Sequence, residues 1–373
     1  MGVLINGIWE RDDKNFKMDP SKQAGTFLTP HQNIAVEGGQ RYYLYVCDGC
    51  PWAARPWMAA AATGLDVEAI RVVRVFPANS EDGWFFTPVS EQERRTIEEH
   101  GDSGIEWDRI EPYSKGKFTH LHQIYTAGDP NITGRVTVPL LFDTKTSTCI
   151  STESEDLVTV MLDRFSPLHV NPLSSTFYPK SLRGEIHRQI KILTKEVNSI
   201  VYGIHFAKTQ QLFNKKKETF FTSLQRYERI LSERPWLLPQ QDGPTVLDFV
   251  LFATIVRFDI AYGPRFRMTQ YTMRENFPSL WSHTCRLWRV VPTLKRAVHF
   301  HGILGMYYLS HPLVVKAGNT VGPLLENYEK RLEEGGGYNS SSSGMRSLGM
   351  LVAAFTGGMI VGAALKGHQM KRE

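Results

Sequence analysis

Residues 41–76 constrain the fold more than any other stretch. "RYYLYV" (41–46) has the aromatic and β-branched content of a strand, the Ala-rich run from about Pro51 to Thr63 reads as a helix, and "AIRVVRVF" (69–76) reads as a second strand. A helix between two strands is a crossover, so the two strands pair in parallel. Pro77 to about Lys117 is long, polar and glycine-containing, and reads as an insertion with little regular structure.

Beyond it, "FTHLHQIYTAGD" suits a helix ending before Pro130. "VTVPLLFD" and "STCI" suit a short hairpin, and a helix follows from about Glu153 to Phe165. The order βαβ, α, ββα is that of a thioredoxin-like domain. After the Pro/Ser-containing segment 166–181 the strand signal disappears. Ile186, Ile190, Leu193 and Val197 recur at i, i+4, i+7 and i+11 on one helical face. Thr245-x-x-Asp248 opens "VLDFVLFATIVRF" as a capping box in its Asp form. The fold class is therefore α/β plus all-α: a thioredoxin-like domain at 41–166 after an extension at 1–40, then a helical domain at 175–330, the layout of glutathione transferases.

The 373 residues are 42% hydrophobic and 11% aromatic, enough for two packed cores, and the formal charge of +5 is scattered. The densest basic run, Asn214–Glu218, suits a solvated helix face. No nucleic-acid motif accompanies it, so nucleic acid is not an expected partner. Four cysteines in this length argue against a disulfide scaffold and fit a reducing compartment. No metal is expected: Cys149 and Cys285 stand alone, and nothing completes a ligand set around His120-x-His122 or His299-x-His301.

"YVCDGCPWAARP" (45–56) holds the chemistry. It poses three readings: a redox pair, half of a metal site, or one reactive thiol. If the helix begins at Pro51, Cys50 is its N-cap, and the free amides of Trp52 and Ala53 point at the sulfur. Such a position favours thiolate. In a thioredoxin-type CxxC the first cysteine starts the helix; here the second does. Cys50 therefore acts alone, and Cys47 is a small residue at the strand end. The competing view of Cys50 is an inert buried cysteine.

These residues, with "GRVTVPLLFD", "STESEDLV", "VRFDIAYGPRF", "GMYYLSH" and the opening "INGIWE", resemble the xi class of glutathione transferases, the glutathionyl-hydroquinone reductases, over roughly residues 1–325. The chain departs from that pattern at Cys47, where the family usually has serine, and at Ala54, where it commonly has His or Ser. The resemblance implies glutathione as co-substrate. Its binding residues would be Trp84, Arg135, the Val138 backbone before a cis Pro139, and Glu153 and Ser154 at a helix start. Read alone, Thr152-x-x-Glu155 is an ordinary capping box, and isolated Trp or Tyr residues are more often packed aromatics. The resemblance places Tyr202 and Tyr307 near the hydroquinone oxygens and implies a homodimer. Cys50 would attack the sulfur of a glutathionyl-hydroquinone and become a mixed disulfide. Two other functions fit the same residues: an omega-like thioltransferase, which needs no tyrosine pair, and a non-catalytic membrane-anchored scaffold or assembly factor.

The tail lies outside the resemblance. A Gly/Ser-rich linker (331–346) precedes 19 uncharged residues, 347–365, flanked by Arg346 and Lys366. As a helix they would reach about 28 Å, close to the ~30 Å hydrocarbon core. The expectation is a C-terminal transmembrane helix, a tail anchor facing the cytosol. The moderate hydrophobicity favours the mitochondrial outer membrane, with endoplasmic reticulum and peroxisome as alternatives.

Overall fold

The computed structural model describes residues 2–11, 29–98, 104–309 and 328–335. A two-stranded hairpin, β1 (Val3–Ile5) and β2 (Ile8–Glu10), comes first. Its turn is Asn6-Gly7, both with positive φ, as the twist of a two-residue hairpin requires. This hairpin sits in what was expected to be an extension, and its Asn-Gly signal was present in "LINGIW". It is not an isolated flap. Leu4 and Gly134 exchange two 2.9 Å backbone hydrogen bonds, and the Gly7 amide donates to the Ile132 carbonyl at 2.8 Å.

The main sheet has four strands in the order β4-β3-β5-β6: β3 (Tyr42–Val46), β4 (Ile70–Arg74), β5 (Leu140–Asp143) and β6 (Thr148–Ser151). β3 and β4 are parallel, with Leu44 opposite Val72, while β3–β5 and β5–β6 are antiparallel. This is the thioredoxin-like arrangement that the β-α-β order predicts. The crossover helix α1 runs Pro51–Thr63 and ends on Gly64 in the left-handed conformation (φ 79°). Every residue of α1 except Trp52 is buried. It packs on the Ser154–Thr159 helix on one side and on the Val246–Arg257 helix and the 3₁₀ segment Pro292–Ala297 on the other. The alanines at 59–62 leave the short side chains that such close approach on both sides needs.

The insertion departs from expectation. A helix forms at Glu91–Glu98. Its start is a reciprocal cap: Glu93 Oε2 accepts the Val89 (2.8 Å) and Ser90 (3.0 Å) amides, and Ser90 Oγ accepts the Glu93 amide (3.2 Å). The Ser90-x-x-Glu93 signal was legible, but the polar composition masked it. Glu93 also meets His120 Nε2 at 2.9 Å, and Asp82, nearby, is gripped through both oxygens by Arg11. Asp82, Glu93 and His120 bring their donor atoms within 4.8 Å of one another. The Arg11 guanidinium and the His120–Glu93 bond use them as an ion-pair network that ties the insertion to the hairpin.

The remainder is helical. The longer described helices are Arg183–Leu193, Ile200–His205, Gln210–Glu233, Val246–Arg257, Pro278–Val290, Phe300–Leu309 and Tyr328–Glu334, of which Val246–Arg257 packs on α1. Ile186, Ile190, Leu193 and Val197 are all buried, as their spacing predicts. The last of them lies on a π-helical continuation, Thr194–Asn198.

The expected membrane anchor requires correction. A spanning helix needs about 20 predominantly apolar residues, and no helix among the described residues is long and apolar enough to cross a membrane. Residues 347–365 lie outside the described residues. The organelle-membrane location inferred from them, mitochondrial or otherwise, therefore does not stand.

The expected capping box is present. The buried Asp248 carboxylate accepts the Thr245 amide (2.8 Å) and hydroxyl (3.1 Å), the Leu237 amide (3.0 Å) and His283 Nε2 (2.9 Å). Replacing it strands several buried donors at once, each costing about 1–3 kcal/mol. Asp248→Ala should lower the urea-unfolding free energy by at least about 3 kcal/mol. A loss under about 1 kcal/mol, the value of a simple exposed cap, would show that the four contacts do not act together.

Candidate active site

The loop Cys47–Cys50 joins β3 to α1. Cys50 is the N-cap of α1, with extended backbone angles (φ −75°, ψ 114°), and Pro51 takes the first helical position. The Cys50 amide closes the turn onto the Cys47 carbonyl at 3.0 Å. Cys50 is 6% exposed, and its thiol donates to the Val138 carbonyl at 3.6 Å. The Val138-Pro139 peptide is cis. Two of the expected site residues, Cys50 and Val138, are thus in contact.

The thiol's electrostatics differ from the sequence expectation. Burial pushes Cys50 above its ordinary range and outweighs the opposing forces, which are the Ala53 and Trp52 amides and then the charges of Arg257 and Arg55. The amides act as expected, but desolvation of a group held in a closed pocket is the larger effect. Cys47 is 1% exposed, and burial raises its thiol far more. Its thiol donates to Met306 Sδ at 4.0 Å, and the amides that oppose its burial are those of Gly49 and Cys50 rather than those of Trp52 and Ala53. All four cysteines are free and buried.

Glu153 and Ser154 stand at the start of the Ser154–Thr159 helix, Glu153 as its N-cap. Burial, and then the neighbouring Asp156, raise the Glu153 carboxyl. Ser154 is buried, and its Oγ accepts from Arg55 Nη1 at 3.4 Å. Arg55 also donates to Thr194 Oγ1 at 3.3 Å and stacks over Trp52 at 4.3 Å. Burial lowers its guanidinium to about 10. Trp84 lies in the core, its carbonyl accepting the Leu121 amide at 2.9 Å. Arg135 is half-buried on the stretch leading to β5.

Tyr202 and Tyr307 come together although 105 residues separate them, their hydroxyls 2.5 Å apart. A third phenol, Tyr262, lies 3.3 Å from each hydroxyl and closes a triangle. Burial raises all three hydroxyls, and a charge on Cys50 would raise Tyr202 and Tyr262 further. The cluster is therefore uncharged at neutral pH, and two of its members, Tyr202 and Tyr262, lie within electrostatic reach of the thiol. Tyr262 is supplied by a π-helical turn, Phe258–Tyr262, that continues the Val246–Arg257 helix; such turns are frequent at functional sites.

Sequence reasoning missed Arg55, Arg257 and Tyr262. The signal for the last two was at hand, since "VRFDIAYGPRF" carries both. What was hidden is that the π turn, one residue wider than an α turn, brings them to the same side.

The chain matches the family "Glutathione S-transferase, C-terminal domain" over residues 210–284. It is 31% identical over 334 residues to glutathionyl-hydroquinone reductase PcpF of Sphingobium chlorophenolicum, covering 87% of this chain and 96% of that one. Among solved structures, a xi-class glutathione transferase from Natrialba magadii superposes with a TM-score of 0.72 at 28% identity, covering 86% and 92% of the two chains. The glutathione-bound structure of YqjG from Escherichia coli superposes with a TM-score of 0.69 at 26% identity, covering 85% and 94%. Identity at that level across nearly the whole of both chains shows that this protein belongs to the xi-class glutathione transferases, the glutathionyl-hydroquinone reductase family.

Proposed function

We propose that the chain is a glutathione-dependent enzyme that reduces glutathionyl-hydroquinones through Cys50 alone. The observation that carries this reading is a single helix-capping thiol within electrostatic reach of a cluster of three uncharged phenols. An aromatic leaving group with two oxygens needs such donors, and a simple disulfide exchange does not. The curated relative PcpF is named for this activity, and the YqjG structure holds glutathione.

The steps balance with one protein thiol. Cys50 thiolate attacks the sulfur of the substrate. The carbon–sulfur bond breaks, its electrons go to the aromatic ring, and the ring carbon takes a proton from the Tyr202–Tyr307 pair, which the thiol of the incoming second glutathione restores, as free hydroquinone leaves. Cys50 remains as a mixed disulfide with glutathione, which a second glutathione thiolate attacks to give glutathione disulfide and free Cys50. Tyr202 and Tyr307 hydrogen-bond the hydroquinone oxygens, and Tyr262 backs them. The Val138 backbone pairs with the cysteinyl part of the ligand. Ser154 and the amides at its helix start hold the γ-glutamyl carboxylate, Glu153 takes the ammonium, and Trp84 and Arg135 complete the pocket. Family membership also supports a homodimer.

Cys50→Ser should abolish turnover while glutathione still binds in a calorimetric titration, and Cys47→Ser should keep most of the activity. Equal loss in the two variants would replace the single-thiol route with a Cys47–Cys50 disulfide. Tyr307→Phe should lower kcat on a glutathionyl-hydroquinone about 10²-fold and leave turnover of a small glutathione mixed disulfide nearly unchanged. If both substrates suffered alike, the thioltransferase reading would be the better one. Sedimentation should give twice the chain mass, and a monomer would remove the homodimer.

A further inference from the structure

Arg257 is wholly buried, at 0% exposure, at the last position of the Val246–Arg257 helix. Its Nη1 donates back to the Ala253 carbonyl at 2.8 Å, which fixes the side chain against its own helix. The rest of the fork reaches across to the sheet layer. Nη2 donates to the Asp48 carbonyl at 3.0 Å and Nε to the Gly49 carbonyl at 3.2 Å. These are the two residues directly before Cys50. The loop is pressed from a second side as well, since a Cβ on Gly49 would come within 2.2 Å of Met306 Cβ.

A buried cation normally has a carboxylate partner. Among the described residues none forms a salt bridge with Arg257; the Asp48 carboxylate is paired instead with Arg74 at 3.7 Å. Arg257 makes its hydrogen bonds to neutral carbonyls alone, and the Asp48 carboxylate acts on it only through space. We infer that Arg257 is a positioning residue for the nucleophile: its guanidinium fixes the Asp48–Gly49 backbone that presents Cys50, and its charge favours the thiolate. This rests on the assignment of Cys50 as the reacting group.

Several other groups face the same thiol. Arg55 adds a second positive charge from α1, Tyr202 and Tyr262 are neutral phenols, and Cys47 is a neutral thiol. Arg257 in turn faces Asp48, Tyr262 and Tyr307. Asp48, raised by burial to about 7, carries a charge that Arg257 partly offsets. Of these, only Arg257 both holds the loop backbone and acts on the sulfur. The sign is fixed: removing a positive charge disfavours the thiolate, so the midpoint of Cys50 ionisation must move up.

The test is iodoacetamide alkylation of Cys50, followed by mass spectrometry from pH 6 to 10.5 in glutathione-free protein, with thermal melting as a fold check. Arg257→Met should shift the profile upward by about one pH unit, which is tenfold slower alkylation at pH 8, with the wild-type rate recovered at the alkaline end. Arg257→Lys should restore part of that shift, because a point charge remains but cannot span two carbonyls. A merely structural role predicts the opposite pattern, faster alkylation at every pH from a loosened loop with no change of midpoint, and that result overturns the inference. If Arg257→Met does not fold, Arg257→Lys decides: slower alkylation at pH 8 supports the inference, and an unchanged rate overturns it. The assay contains no hydroquinone. A wild-type protein that alkylates as expected but does not turn over glutathionyl-hydroquinone would sink the reductase reading and leave Arg257 in place.

Discussion

Helix α1 is enclosed on all sides, and the rest of the architecture follows from that enclosure. A helix with one apolar stripe can rest on a sheet and leave its other face wet. The run Met58-Ala59-Ala60-Ala61-Ala62 has no wet face to offer, and all five residues are buried. The sheet layer cannot therefore stand alone with α1 exposed. The helical half must cover it, which it does through Val246–Arg257 and Pro292–Ala297. Because Cys50 caps this same helix, covering α1 also places elements of the helical half around the thiol.

That arrangement has opposite effects on the sulfur. The exposed amides of a helix start stabilise a thiolate, while the closure that keeps water out destabilises it. At Cys50 the second effect is the larger. The two guanidiniums, Arg55 from α1 and Arg257 from the covering helix, bring the balance back towards reactivity. They work from protein on either side of the thiol, so reactivity depends on the two halves being docked.

The parts of this structure legible in the sequence are those whose signals are local. Pro51 after Cys50 and Thr245-x-x-Asp248 each mark a helix start within a few residues, and each was correctly read. Tyr202 and Tyr307 were named from resemblance alone; no local pattern could bring hydroxyls 105 residues apart to 2.5 Å. Tyr262 and Arg257 were missed for a different reason. A strict 3.6-residue period does not anticipate a π turn, and an arginine in a hydrophobic helix gives no hint that it will bond backbone 208 residues away. The raised Cys50 thiol belongs to the same class, because burial is a property of the assembled fold. The anchor expected at 347–365 rested on length and absence of charge alone, and those residues lie outside the described ones.

The hairpin β1–β2 and the helix Tyr328–Glu334, the first and last described elements, both bear on the surroundings of the thiol. Leu4 is bonded through both backbone groups to Gly134, four residues before Val138, whose carbonyl receives the Cys50 thiol. Gly2 is packed so closely on the Trp9 ring that an added Cβ would lie 2.2 Å from it. The hairpin is thus tied to the stretch that leads into Val138, and that pairing needs residues 132–134 in place. A change that loosens the hairpin is therefore expected to loosen the approach to Val138 as well. The helix Tyr328–Glu334 is held in two ways: it rests on Pro278–Val290 through contacts such as Arg289 to the Glu333 carbonyl, and its Tyr328 hydroxyl donates to the Val256 carbonyl at 3.1 Å, so it braces the helix end that carries Arg257.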